Sequence, residues 1–137
     1  MQVQPYLFFD GRSEEALEFY RKALGAEVTM LMRFKECPER GERAMIPPGS
    51  AEKVMHASVR IGDTSVMVSD GRCQGRPSFQ GFSLTLSVRE DAEAERLFAA
   101  LADGGKVETP LAKTFFSSRF GMLVDRFGVA WMVLVAA

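Results

Sequence analysis

The chain carries one histidine, and it lies in the stretch VMHASVRIGDTSVMVSD, Val54–Asp70. Read as a strand, this stretch sorts its residues onto two faces. Val54, His56, Ser58 and Arg60 share one, while Met55, Ala57, Val59 and Ile61 make the other wholly apolar. An imidazole beside a hydroxyl can bind a ligand group, move a proton near neutral pH, or simply satisfy that hydroxyl. No Ser-His-Asp or Cys-His arrangement is visible in the spacing. Arg60 is suited to an anionic ligand or to a salt bridge with Asp70. Asp10 and Asp70 read equally well as turn residues.

Two further segments carry candidate chemistry. In FSLTLSV, Phe82, Leu84, Leu86 and Val88 alternate with Ser83, Thr85 and Ser87. The pattern repeats that of the histidine strand: one apolar face suited to packing under a helix, one face of small polar groups. In KTFFSSRFGMLVD, Phe115, Phe116 and Phe120 stand with Arg119 as an aromatic wall with one cation; core or dimer interface is the alternative. Polar groups set among aromatics are the ordinary lining of a small-molecule site. Cys37 and Cys73 lie in Pro/Gly-rich stretches without CxxC spacing, and read as reduced thiols.

The elements that must position these residues come in a repeated order. VQPYLFF reads as a strand, and Ser13 as the N-cap of a helix with an apolar stripe Ala16, Leu17, Phe19, Tyr20, Ala23, Leu24. Gly25 stops the helix. EVTMLMRFK is a strand, and residues 36–52, with three prolines, two glycines and six charged residues, form a loop. Strands 53–61 and 64–70 follow, joined at Gly62-Asp63, and residues 71–81 form a second loop. The order then starts again. GFSLTLSV is a strand, Asp91 caps a helix, Gly104-Gly105 stops it, and KVETPLAKTFF, RFGMLVD and VAWMVLVA supply three strands. RIGDTSVMV parallels RFGVAWMVL, aligning Gly62 with Gly128. A fixed repeat implies two copies of one supersecondary unit. Two βαβββ modules, about 1–72 and 80–137, would form one α+β domain over 1–137, pairing their sheets around a cleft with helices outside.

Composition excludes several classes. A 137-residue chain with 47% apolar and 26% charged residues has the make-up of a globular protein. A net charge of −1 recruits neither nucleic acid nor an anionic membrane. The longest apolar run, Val129–Ala137, is well short of the ~20 residues a membrane helix needs. With no secretory signal in MQVQPYLFFD, the expected location is cytoplasmic.

The segments PYLFFDGRSEEALEFYRKALGAE, HASVRIGDTSVMVSD, GFSLTLSV and FGMLVDRFGVAWMVLV resemble the vicinal oxygen chelate superfamily, which includes glyoxalase I, extradiol dioxygenases and bleomycin-resistance proteins. Within it the chain looks like the PhnB-like group. The resemblance implies the paired βαβββ fold and homodimerisation. Metal-dependent relatives take ligands from the first and last strands of each module. The corresponding places here are Gln4, Pro5 or Tyr6; Val66, or Met67 if the register slips; Ser83; and Met132. Such residues do not make the imidazole and carboxylate set of a divalent site, so no metal or other cofactor is expected. The group often carries the label 3-demethylubiquinone 3-methyltransferase, but the glycine-rich turn of a nucleotide-type parallel sheet does not follow the first strand. The expectation is therefore a small-molecule-binding protein with His56, Ser58, Arg60, Ser83, Phe115, Phe116, Arg119 and Met132 at its site. Alternatives are an enzyme using His56 as acid or base, or a metal enzyme drawing on His56 with Asp70 or Glu36.

Overall fold

The computed structural model describes residues 1–36, 49–71, 73 and 76–136. They fall into two compact units, Met1–Pro77 and Ser78–Ala137. The first runs β1 (Tyr6–Phe8), α1 (Ser13–Leu24), β2 (Glu27–Arg33), β3 (Val54–Ile61) and β4 (Thr64–Ser69). The second runs β5 (Leu84–Val88), α2 (Asp91–Ala102), β6 (Lys106–Ala112), β7 (Phe120–Val124) and β8 (Ala130–Val135). Their sheet orders are β1-β4-β3-β2 and β5-β8-β7-β6. In each, the first and last strands pair parallel and the other neighbours antiparallel. The fold is α+β, built of two βαβββ modules as the repeat implies.

The first module follows from its apolar pattern. Ala16, Leu17, Tyr20 and Ala23 make the buried stripe of α1, and Leu7, Phe9, Ala57, Val59, Val66 and Val68 supply buried sheet residues. Gly25 ends the helix at φ 67°, a left-handed conformation glycine adopts without a Cβ penalty, and its N–H bonds to Arg21 O. The helix start differs from expectation. Arg12 occupies the cap position without a side-chain bond, and Ser13 is the first helical residue. Capping falls instead to Asp70, 57 residues further on, whose Oδ1 accepts the Ser13 N–H at 2.8 Å and the Gly11 N–H at 3.0 Å. Its Oδ2 accepts the Val54 N–H at 2.7 Å. One carboxylate, 1% exposed, thus holds the start of α1, the start of β3 and the end of β4 together. Helix starts present unpaired N–H groups and a positive dipole end, so a carboxylate suits them.

The second module repeats the topology with different local chemistry. Asp91, expected as a cap, is the first residue of α2; Glu90 stands before it without a side-chain bond, and the Asp91 carboxylate accepts the Ser118 hydroxyl. Gly121 on β7 lies where a Cβ would meet the Phe98 ring of α2 at 2.7 Å. The closing hairpins also differ. Ile61 pairs with Thr64, leaving the two-residue turn Gly62-Asp63, but Val124 pairs with Ala130 across a longer loop, 125–129. That loop is organised by Asp125, 3% exposed, which accepts the N–H groups of Phe127 and Val129 and the indole N–H of Trp131. Gly62 and Gly128 are therefore not equivalent, and aligning them displaces the register.

Candidate functional site

The sheet face of the first module opposite α1 carries a defined hydrogen-bonded cluster. Leu7 and Phe9 point into the core, so Tyr6 and Phe8 alternate onto the other face and are exposed. One complete row crosses the sheet as Tyr6, Met67, Ser58 and Met30, each paired with the next. Met32 pairs with His56 alongside. The Tyr6 and Phe8 rings stack at 4.9 Å with planes 22° apart. The Tyr6 hydroxyl lies 2.8 Å from His56 Nδ1. Burial pushes the Tyr6 phenol above its ordinary value, an effect that the Ser69 hydroxyl opposes. Ser69 Oγ in turn accepts the Gly71 N–H at 3.0 Å. His56 Nε2 has no hydrogen-bond partner among the described residues.

The other expected site residues are placed as follows. Ser58 shares the face of His56, as alternation implies. Arg60 is exposed and pairs with Glu27 at 2.5 Å, not with Asp70, whose two oxygens are taken by backbone N–H groups. Ser83 precedes β5; the residue paired with Met132 is Thr85, whose hydroxyl lies 3.7 Å from the Met132 sulfur. Met132 is on the face opposite buried Trp131, the face the sequence favoured for it. Phe115 and Phe116 are exposed, and Phe116 packs edge-on against both Phe115 and Phe120 at 5.1 Å. Arg119 is not the free cation of an aromatic wall. It alternates away from Phe120, toward α2, where it pairs with Asp91 at 3.6 Å and Glu95 at 3.2 Å. Cys73 is a free thiol pushed up by burial, and Cys37 lies outside the described residues.

The register also decides which residues stand at the positions of the superfamily's metal ligands. Tyr6 pairs with Met67 and Thr85 with Met132. Val66, expected at the first closing strand, is buried on the helix side. Phenol, hydroxyl and thioether groups do not make the nitrogen and carboxylate set that divalent zinc, nickel or iron requires, so these positions do not fit such an ion. Of the alternative ligands for His56, Asp70 is buried in backbone bonds and Glu36 accepts the Arg33 N–H. Among the described residues no three His, Cys, Asp or Glu side chains come together.

Residues 1–134 match the family model described as 3-demethylubiquinone-9 3-methyltransferase. The chain belongs to that family. It is similar to protein YjdN of Escherichia coli, 36% identical over 98% of this chain and 95% of that one. The crystal structure of PA1353 from Pseudomonas aeruginosa is 41% identical, with TM-score 0.85 over 99% and 98% of the two chains. The PhnB protein of Bacillus cereus is 28% identical, with TM-score 0.80 over 99% and 100%. A glyoxylase/bleomycin resistance protein/dioxygenase domain from Frankia, at 16% identity and TM-score 0.63 over 99% and 95%, shares the fold. The family model and the Bacillus cereus PhnB protein carry the same 3-demethylubiquinone-9 3-methyltransferase description, and the chain shares the fold of glyoxalase/bleomycin resistance/dioxygenase proteins. Among the described residues no helix is long and apolar enough to cross a membrane.

Tyr6 is the main site residue that sequence reasoning underused, naming it only as a possible metal position. Its signal was present: Tyr6 and Phe8 alternate with Leu7 and Phe9, and the latter pair is the one a core would take.

Proposed function

We propose that the protein binds a small apolar or aromatic molecule on the open face of its first sheet, without a divalent metal. The observation that supports this reading is the Tyr6–His56 pair, a polar group set in a surface of Phe8, Met30, Met32 and Met67. Methionine side chains adapt to varied apolar shapes, and the stacked rings offer a flat contact. Ser58 stays a candidate for a further ligand contact on this face, and Phe115, Phe116 and Met132 stay candidates on the second module by itself. The expected state is a cytoplasmic homodimer that engages neither nucleic acid nor membrane.

Methyl transfer, which the family's name suggests, is disfavoured. Each sheet holds one parallel pair and two antiparallel ones, not the parallel sheet and glycine-rich turn of a nucleotide-type donor site. A second reading keeps an enzyme in view: His56, hydrogen-bonded to a phenol, could serve as acid or base toward a bound molecule.

A thermal-shift screen of aromatic and apolar compounds, on wild type and His56→Ala, tests the proposal. At least one compound class is expected to raise Tm, with the shift reduced in His56→Ala. No stabilising class would remove binding as the function. Elemental analysis of protein purified without added metal tests the other half, and a stoichiometric divalent ion surviving chelator would overturn it.

A further inference from the structure

We propose that the open face of the first sheet binds a soft monovalent cation of the copper(I) class, held by His56 with Met30, Met32 and Met67. The donor set differs from that of a divalent site, and the proposal does not depend on the small-molecule reading above.

Strand pairing brings the four residues to one patch. Ala57 and Val59 are buried, so His56 and Ser58 alternate onto the open face, and the residues paired with them lie there too. Met32 stands directly opposite His56 on β2. Met30 on β2 and Met67 on β4 both pair with Ser58, which makes each a diagonal neighbour of His56. Directly opposite side chains start about 5 Å apart and diagonal ones about 7–8 Å, within reach of long side chains. Methionine turns about three bonds, and the short side chain of Ser58 leaves room above it for a thioether from either side. Met30 is 42% exposed, and Met32, His56 and Met67 are half-buried, so an ion reaches them from solvent.

The donors choose the ion. Thioether sulfur selects soft copper(I), and imidazole suits copper as well, whereas harder divalent ions call for carboxylates. Glu27, an acidic residue of this face, is engaged by Arg60. A ligating imidazole ordinarily donates its other ring N–H to an oxygen. Here Tyr6 Oη lies 2.8 Å from Nδ1, and Nε2 has no hydrogen-bond partner among the described residues. Ligation through Nε2 leaves the proton on Nδ1, donated to Tyr6, one of the two arrangements that contact permits. The second module supplies a contrast: Met122 pairs with Met132, but the chain has no second histidine to join them.

Silver(I), a redox-inert stand-in for copper(I), is titrated in chloride-free buffer into protein carrying Cys37→Ser and Cys73→Ser, so that thiolates do not compete. Methionine methyl signals and the ring signals of the single histidine report the site by NMR. One equivalent should shift Met30, Met32, Met67 and His56 together and leave Met122 and Met132 in place. Met32→Leu and Met67→Leu, which keep side-chain volume, should each weaken binding about 10-fold or more. Tyr6→Phe, which removes only the acceptor of the Nδ1–H, should weaken it about 10-fold. Zinc(II) in the same titration should leave the methionine signals unmoved. Silver binding that spares His56, or that is unchanged in both leucine variants, overturns the inference, and so does no response to silver; each leaves small-molecule binding standing.

Discussion

Replacing Asp70 should damage the first module far more than its position at the end of a strand suggests. Its carboxylate is 1% exposed and accepts backbone N–H groups from Gly11, Ser13 and Val54 at 2.7 to 3.0 Å. Asp70→Ala leaves three donors without a partner. A buried unsatisfied donor costs about 1–3 kcal/mol, so with partial access of water the loss should be about 3–5 kcal/mol. Against a total stability of roughly 5–15 kcal/mol this threatens folding itself. Asp70→Asn is the sharper test. One oxygen can still serve Gly11 and Ser13, but the amide NH2 then faces the Val54 N–H, donor against donor. The expected loss is about 2 kcal/mol. Urea denaturation followed by far-UV circular dichroism measures it. An Asp70→Asn midpoint within about 0.5 kcal/mol of wild type would refute the assignment of Asp70 as a three-way staple, since surface substitutions fall in that range.

Two further outcomes follow from packing and from burial. Gly121→Ala should cost about 1–3 kcal/mol, because the new Cβ meets the Phe98 ring at 2.7 Å and the Leu111 backbone at 3.0 Å; a neutral change in urea midpoint contradicts it. Tyr6 holds its proton more firmly folded than unfolded, so its contribution is intact below the free phenol value of about 10 and is lost as pH rises through the higher folded one. The Tm of wild type should accordingly fall more steeply above that pH than that of Tyr6→Phe, and equal slopes in alkaline melts would count against the buried phenol.

What was legible in the sequence is what depends on period and punctuation. The alternation Met55, Ala57, Val59 against His56, Ser58 marked the two faces of β3, and Ala57 and Val59 are buried as it implied. The repeat of strand, helix and three strands gave the two modules. What escaped depends on distance along the chain or on loop length. Ser13 is a sound cap by local rules, yet the cap comes from Asp70, brought there only when β4 pairs with β1. The register of the closing strands was misread because glycine marked both hairpins, while one turn is Gly62-Asp63 and the other spans 125–129. Arg119 is a different case. Alternation along SRFGML already sets it with Gly121 and Leu123, the helix side, but adjacency to three phenylalanines drew it to the site.

The two modules share a topology and have diverged in the chemistry of their open faces. On the parallel pair of the second module, Thr85 stands against Met132, a hydroxyl and a thioether with little power to orient a ligand. At the corresponding pair of the first, Tyr6 stands against Met67, and its hydroxyl lies 2.8 Å from Nδ1 of the chain's one histidine. The asymmetry bears on how selectivity arises. A face of methionine and aromatic carbon accepts many shapes at similar affinity, and a missing methylene changes binding only modestly. A polar pair such as Tyr6–His56 acts differently. It penalises every occupant that covers it without a polar partner of its own, and that penalty falls on the wrong ligand whether or not the right one gains much. Removing Tyr6's hydroxyl while keeping its ring separates the two effects, since the flat contact survives and only the hydrogen bond to His56 is lost.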